Sequence, residues 1–159
     1  MRIAYHPNRD IISTDEPAAE LFAEVIKENF PDAQRVLDLG TGKGNLITAL
    51  EKEGIFAVGI DLRKIFEHKS RYVIADARRL PFRDEIFDLL YQHYFLTDLR
   101  ALQNCAESDI LEIIKESYRV LKPEGYFWSF PAEYSSLFME NGFKKMKNLR
   151  NLGIIVFQK

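Results

Sequence analysis

Apolar positions along the chain follow two alternating periods. From Ala18, Leu21 and Phe22 through Val25, Ile26 and Phe30 they recur every three to four residues, the spacing of a helix that buries one face. Ser13 and Glu16 have capping-box spacing and Pro17 suits a first turn, so this helix is expected to start near Asp15 and stop at Pro31. Residues 35–40, "RVLDLG", then read as a buried strand. Residues 45–54 read as a helix closed by Gly54, and residues 55–61, "IFAVGID", as a second strand. A short helix over 62–69 leads to a third strand, "RYVIAD", at 71–76. A turn at 78–84 leads to a fourth, "EIFDLLYQ", at 85–92. Ile110, Ile113, Ile114, Ser117, Tyr118 and Leu121 share one face of a long helix that Pro123 and Gly125 should end. A fifth strand, "YFWSFP", a helix over 132–142 and two closing strands, 143–149 and 153–159, complete the pattern.

Strands that alternate with helices belong in a layered α/β fold. The first five strands are separated by crossovers and should run parallel, whereas the last two can pair as an antiparallel hairpin. In such a sheet, ligands sit beyond the carboxyl ends of the strands, where the strand order reverses. The first strand ends there in "VLDLGTGKG", Val36 to Gly44. Three glycines in five residues let backbone approach a ligand closely, and the helix that follows presents backbone N–H groups.

Which ligand depends on the neighbours. A phosphate-binding P-loop needs glycine five positions before its Gly-Lys and Ser or Thr after it. Leu37 and Gly44 stand there instead. The dinucleotide fingerprint needs glycine at position 45, which is Asn45. The remaining pattern is acid-x-G-x-G-x-G, formed by Asp38, Gly40, Gly42 and Gly44.

With these residues the chain resembles the class I S-adenosylmethionine-dependent methyltransferases, of the small-molecule, type 11-like kind. The likeness extends through "VGIDLR", "ADARRLPFRDEIFDLL" and "ESYRVLKPEGYF", in that order, over about residues 36 to 128. Glu124 departs from it, since that subgroup usually has glycine there. The resemblance implies a Rossmann-like, doubly wound, mostly parallel seven-stranded sheet with an antiparallel C-terminal strand and helices on both faces. The expected organisation is one domain over 1–159, with residues 1–30 an N-terminal segment and helix; Tyr5 and His6 precede that helix in a stretch that could fold over the site as a lid, a disordered or merely packed terminus being the default. The cofactor the resemblance implies is S-adenosyl-L-methionine.

Its site residues are carried over position by position. Asp38 would hold the methionine ammonium, directly or through water, with help from the Gly40 carbonyl; bonding the glycine turn is the structural alternative. Thr41, Gly42 and Gly44 would complete the loop. Asp61 ends a strand 17 residues after Gly44, where its carboxylate can accept ribose hydroxyls or cap the next helix. Leu62 would pack on the adenine face, Asp76 and Ala77 would read the adenine edge, and Gln92 would join the cofactor side. In "YQHYFLTD", His93 is a candidate proton acceptor and Tyr94 a candidate aromatic contact, with closure over the cofactor as His93's alternative role. Tyr91 could face the sulfonium or simply pack. Arg78 and Arg79 sit beside this site and are read as solvated surface.

Composition narrows the partners. Net charge is −2, so no global field favours nucleic acid. The basic stretch "FKKMKNLR", Phe143 to Arg150, reads as the exposed face of a strand and turn, with an RNA-facing patch as the alternative. Cys105 is the only cysteine, no metal site is indicated, and no apolar run has membrane-spanning length. The reading is a soluble cytoplasmic enzyme with a small-molecule substrate, selected by residues 1–17, 92–108 and the loop after Phe130. An RNA or protein methyltransferase working with a partner, and a non-catalytic cofactor-binding module, are the alternatives.

Overall fold

The computed structural model describes residues 16–63, 71–131, 133–149 and 153–159. The expected N-terminal lid with Tyr5 and His6, the Ser13 cap and most of the short helix over 62–69 lie outside them. The chain runs α1 (Glu16–Asn29), β1 (Arg35–Leu39), α2 (Asn45–Lys52), β2 (Phe56–Asp61), β3 (Tyr72–Ile74), β4 (Phe87–His93), α3 (Phe95–Gln103), α4 (Glu107–Val120), β5 (Leu121–Phe130), α5 (Ser135–Glu140), β6 (Lys144–Leu149) and β7 (Ile154–Gln158). One seven-stranded sheet has the order β3-β2-β1-β4-β5-β7-β6. Strands β3, β2, β1, β4 and β5 are mutually parallel, and β7 lies antiparallel between β5 and β6. The expected hairpin and mostly parallel sheet are both present.

Alternation along the strands feeds two apolar layers. Val36, Leu89, Tyr91 and Trp128 face Phe22, Ile26, Leu46 and Leu50 of α1 and α2. Leu37, Leu39, Leu90 and Phe127 face Leu96, Leu99, Ile110, Ile114 and Phe138 of α3, α4 and α5. The order reverses between β1 and β4, so the carboxyl ends of these two strands open the crevice where a ligand can bind.

Two elements depart from the sequence reading. Residues 95–103 form a helix where the sequence reading assigned no element, with Leu96 and Leu99 buried. The side-chain oxygen of Gln92 accepts the Leu96 N–H at 3.3 Å in its first turn. Helix α4 ends at Val120 rather than at Pro123, and β5 begins at once with Leu121 paired to Phe87. Pro123 disfavours helix in the residue before it. It fits the strand because the β4–β5 register shifts between Phe87 and Leu89.

Long-range polar bonds bolt the layers together. Arg119 donates to the carbonyls of Leu80 and Phe82 and to Glu116, whose carboxylate in turn accepts the Leu80 N–H. This ties α4 to the "LPF" turn. Asp88 accepts the N–H groups of Gln34 and Arg35 and the Lys122 ammonium, joining the entry of β1 to β4 and β5. Exposed Lys144 and Lys145 lie on β6, the sheet's edge strand, where positive charge discourages pairing with another chain. No helix among the described residues is long and apolar enough to cross a membrane.

Glu124 has φ 63°, the left-handed region that a side chain disfavours and glycine tolerates. That is the physical reason for a glycine preference at this position. Glu124→Gly is expected to stabilise the fold by about 0.5–1 kcal/mol, the relief of strain outweighing the added freedom of the unfolded chain. Urea denaturation measures it; a destabilised variant would contradict the strain.

Candidate functional site

The site is built on the turn between β1 and α2. Gly40, Gly42 and Gly44 all have positive φ, 70°, 52° and 68°. The turn is fixed from both sides. Thr41 Oγ1 donates to Asp38 Oδ2 at 2.6 Å, its N–H donates to the Ile60 carbonyl at 2.9 Å, and the Gly42 N–H reaches Asp61 Oδ2 at 3.3 Å. Close packing against β2 needs Gly59. A Cβ there would lie 2.4 Å from Ile47 Cδ1 and 2.6 Å from the Thr41 side chain. Gly59 was not singled out in the sequence, although its place beside Asp38 in the β1–β2 ladder makes it part of the same construction.

Asp61 is 8% exposed at the end of β2. Its Oδ1 accepts the Arg63 backbone N–H at 3.0 Å and Nε at 3.2 Å, an arrangement that also caps the chain leaving the strand. Beyond it opens a shallow cleft. Of the predicted cofactor residues, Gly40, Asp61, Leu62, Asp76 and Ala77 line this cleft. Leu62 is 43% exposed, an apolar side chain at the rim. Thr41, Gly42 and Gly44 belong to the turn beside it, and Asp38 is buried beneath them.

Asp38 is 4% exposed, and burial pushes its carboxyl up to about 7, with the Thr41 bond opposing and the Asp61 charge adding to the rise. A buried acid with this elevation gains from a cation placed against it, which an ammonium group entering over the turn supplies.

Gln92 is placed differently. It is 1% exposed, donates from Nε2 to Ser129 Oγ at 2.7 Å and accepts from Leu96 N, and it lies outside the lining of the cleft. Its side chain organises the start of α3. His93 and Tyr94 lie at the carboxyl end of β4 among aromatic rings rather than in the cleft lining. His93 stacks on Phe130 at 4.8 Å and meets Tyr94 at 4.8 Å and Phe22 at 5.3 Å. Tyr94, in a left-handed conformation at φ 60°, heads α3 and donates its N–H to the Phe130 carbonyl at 2.7 Å. Tyr91 is core, 1% exposed, between Phe22 and Trp128.

Several cleft residues were missed in the sequence. Phe95 opens α3 with its ring against Gly40, where a Cβ would come within 2.3 Å. Leu99, Cys105 and Ile113 continue the apolar wall, and burial pushes the Cys105 thiol up. Arg78 is a correction: instead of a solvated surface group, it is a cleft residue paired to both Asp76 and Asp109. Only its position two residues after Asp76 hinted at this. Among the described residues no group of His, Cys, Asp and Glu could hold a metal ion.

A profile of the methyltransferase domain matches residues 37–129, more than half of the chain. Malonyl-[acyl-carrier protein] O-methyltransferase of Marinomonas sp. is 35% identical over 106 residues, 59% of this chain and 36% of that protein. Demethylmenaquinone methyltransferase of Roseiflexus sp. is 33% identical over 104 residues, 58% of this chain and 40% of that protein. The chain spans about half or less of the length of the curated relatives it matches. In fold it is similar to a TehB-like SAM-dependent methyltransferase from Corynebacterium glutamicum. That likeness has a TM-score of 0.71 and 20% identity, and it covers 96% of this chain and 90% of the other.

The raised Asp38 has a consequence for stability. An acid whose folded value lies near 7, above its ordinary 3.8, stabilises the fold below pH 4, and that contribution is lost as pH rises through 7. Asp38→Asn lacks this dependence and retains an acceptor for Thr41. Without ligand, the variant is therefore expected to gain on the wild type by on the order of 2 kcal/mol between pH 5 and pH 8. Parallel denaturation curves at the two pH values measure it, and a constant difference would place the Asp38 carboxyl in its ordinary range.

Proposed function

The chain belongs to the methyltransferase-domain family, whose cofactor is S-adenosylmethionine, and on that premise we propose that it transfers the cofactor's methyl group to an O, N or C nucleophile of a small molecule. The observation that carries this reading is the buried Asp38 beneath a glycine turn that opens onto a cleft lined by Asp61, Leu62, Asp76 and Ala77. An amino-acid ammonium over this turn would stabilise the ionised form of the buried Asp38 carboxyl, whereas a pyrophosphate there would oppose it. The residues present therefore fit a ligand with a cationic head and a nucleoside tail.

In this reading, Asp38 holds the ammonium, Asp61 accepts ribose hydroxyls, and Leu62, Ala77 and Phe95 enclose the base. Both carboxylates are already oriented, Asp38 by the Thr41 hydroxyl and Asp61 by the backbone N–H groups of Gly42 and Arg63. When bound, the cofactor supplies an electrophilic methyl group for in-line displacement. The protein's contribution is alignment and exclusion of water, which can supply ~7–11 kcal/mol of such a barrier.

We assign His93 and Tyr94 to the acceptor side. Their support is their position at the carboxyl end of β4, beside the strand that ends in the glycine turn. Aromatic rings pack around His93, and an imidazole at this strand end is a chemically suitable proton acceptor for a protonated nucleophile. The names of relatives that act on demethylmenaquinone and on malonyl-acyl-carrier protein leave the acceptor class open, and the small-molecule assignment follows the subgroup resemblance.

S-adenosylhomocysteine is expected to raise the melting temperature, with NAD and ATP having no effect; stabilisation by NAD alone would falsify the cofactor assignment. Asp61→Ala should weaken S-adenosylhomocysteine binding by ~1–3 kcal/mol through the loss of charge-assisted hydrogen bonds. Calorimetric titration checks this, and unchanged affinity removes Asp61 from the ribose.

A further inference from the structure

Arg78 is the one cation that joins both walls of the cleft among the described residues that line it. On one side it grips Asp76: Oδ1 accepts its backbone N–H at 2.9 Å and Nε at 3.1 Å, while Nη2 donates to Oδ2 at 2.6 Å. On the other side Nη1 donates to Asp109 Oδ1 at 2.9 Å. Asp109, in the first turn of α4, uses Oδ2 to accept the Ala106 N–H at 2.8 Å. Arg78 therefore ties the end of β3 to the corner between α3 and α4, where Cys105 forms part of the wall. A guanidinium fork fixes the plane of a carboxylate as well as its distance. The Asp76 side chain is still 34% exposed, so the fork does not cover it.

We propose that Arg78 is the positioning residue for base recognition, aiming the Asp76 carboxylate at the amino edge of the adenine and setting the cleft width through Asp109. This rests on the cofactor assignment above. The same contacts hold both carboxyls below their ordinary range, so the pairing persists throughout neutral pH.

The test is calorimetric titration of the full chain with S-adenosylhomocysteine and with its 6-oxo counterpart, S-inosylhomocysteine. The wild type is expected to prefer the amino form by roughly tenfold or more. Arg78→Met should lose most of that preference, not merely affinity for both ligands. Arg78→Lys, which keeps the charge without the fork, carries the same expectation should the first variant not fold. Asp109→Asn should weaken both ligands equally and keep the preference. An unchanged preference in the Arg78 variants, or none in the wild type, overturns the proposal. If the wild type binds neither ligand, the cofactor assignment itself fails and takes this proposal with it.

Discussion

The hydrogen bond from Thr41 to Asp38 is the contact on which the site depends. A carboxylate inside a parallel strand has no ladder role for its side chain and must find a donor in the interior. Thr41 supplies one, and in doing so folds the chain back over the strand end at the three positive-φ glycines. The same turn presses Thr41 onto β2, which only Gly59 permits, and brings Gly42 N–H to Asp61. One buried polar group thus sets the backbone of the turn, the approach of β2 and the direction of the second carboxylate.

Around this centre, single charged side chains hold together segments far apart in sequence. Arg119 gathers the turn at 80–82 onto α4, Asp88 gathers the starts of β1 and β5, and Arg78 gathers the end of β3 onto α4. Each has several bonds rather than one, which gives it a defined geometry and more than the small value of an isolated exposed pair. These bolts also link the stretches "DARRLPF" and "RVLKP": the arginine of the second satisfies backbone carbonyls of the first.

Most of the architecture was legible from periodicity. The core positions of α1 and α4, the strand ends and the closing hairpin follow from residues close together in the chain. The misreadings occurred where local signals were weak. Helix α3 is short and starts at a left-handed tyrosine without a side-chain cap, so its start depends on Gln92 from the preceding strand. That same bond turns the Gln92 side-chain oxygen to the start of α3. The direct passage from α4 into β5 depends on pairing of Leu121 with Phe87, a contact across 34 residues.

The sequence by itself determined the glycine turn, the acids in or just after the first three strands and the order of the strands. Each of these is a matter of residue type and short spacing. Only the tertiary structure decided that Phe95 closes over Gly40, that Arg78 joins Asp76 to Asp109, and that His93 sits among aromatic rings. Those facts rest on which side chains meet across the sheet and between layers. Spacing along a chain shows which face a residue occupies but not what stands opposite it, and burial, hydrogen-bond direction and the rise of the Asp38 carboxyl all depend on what does.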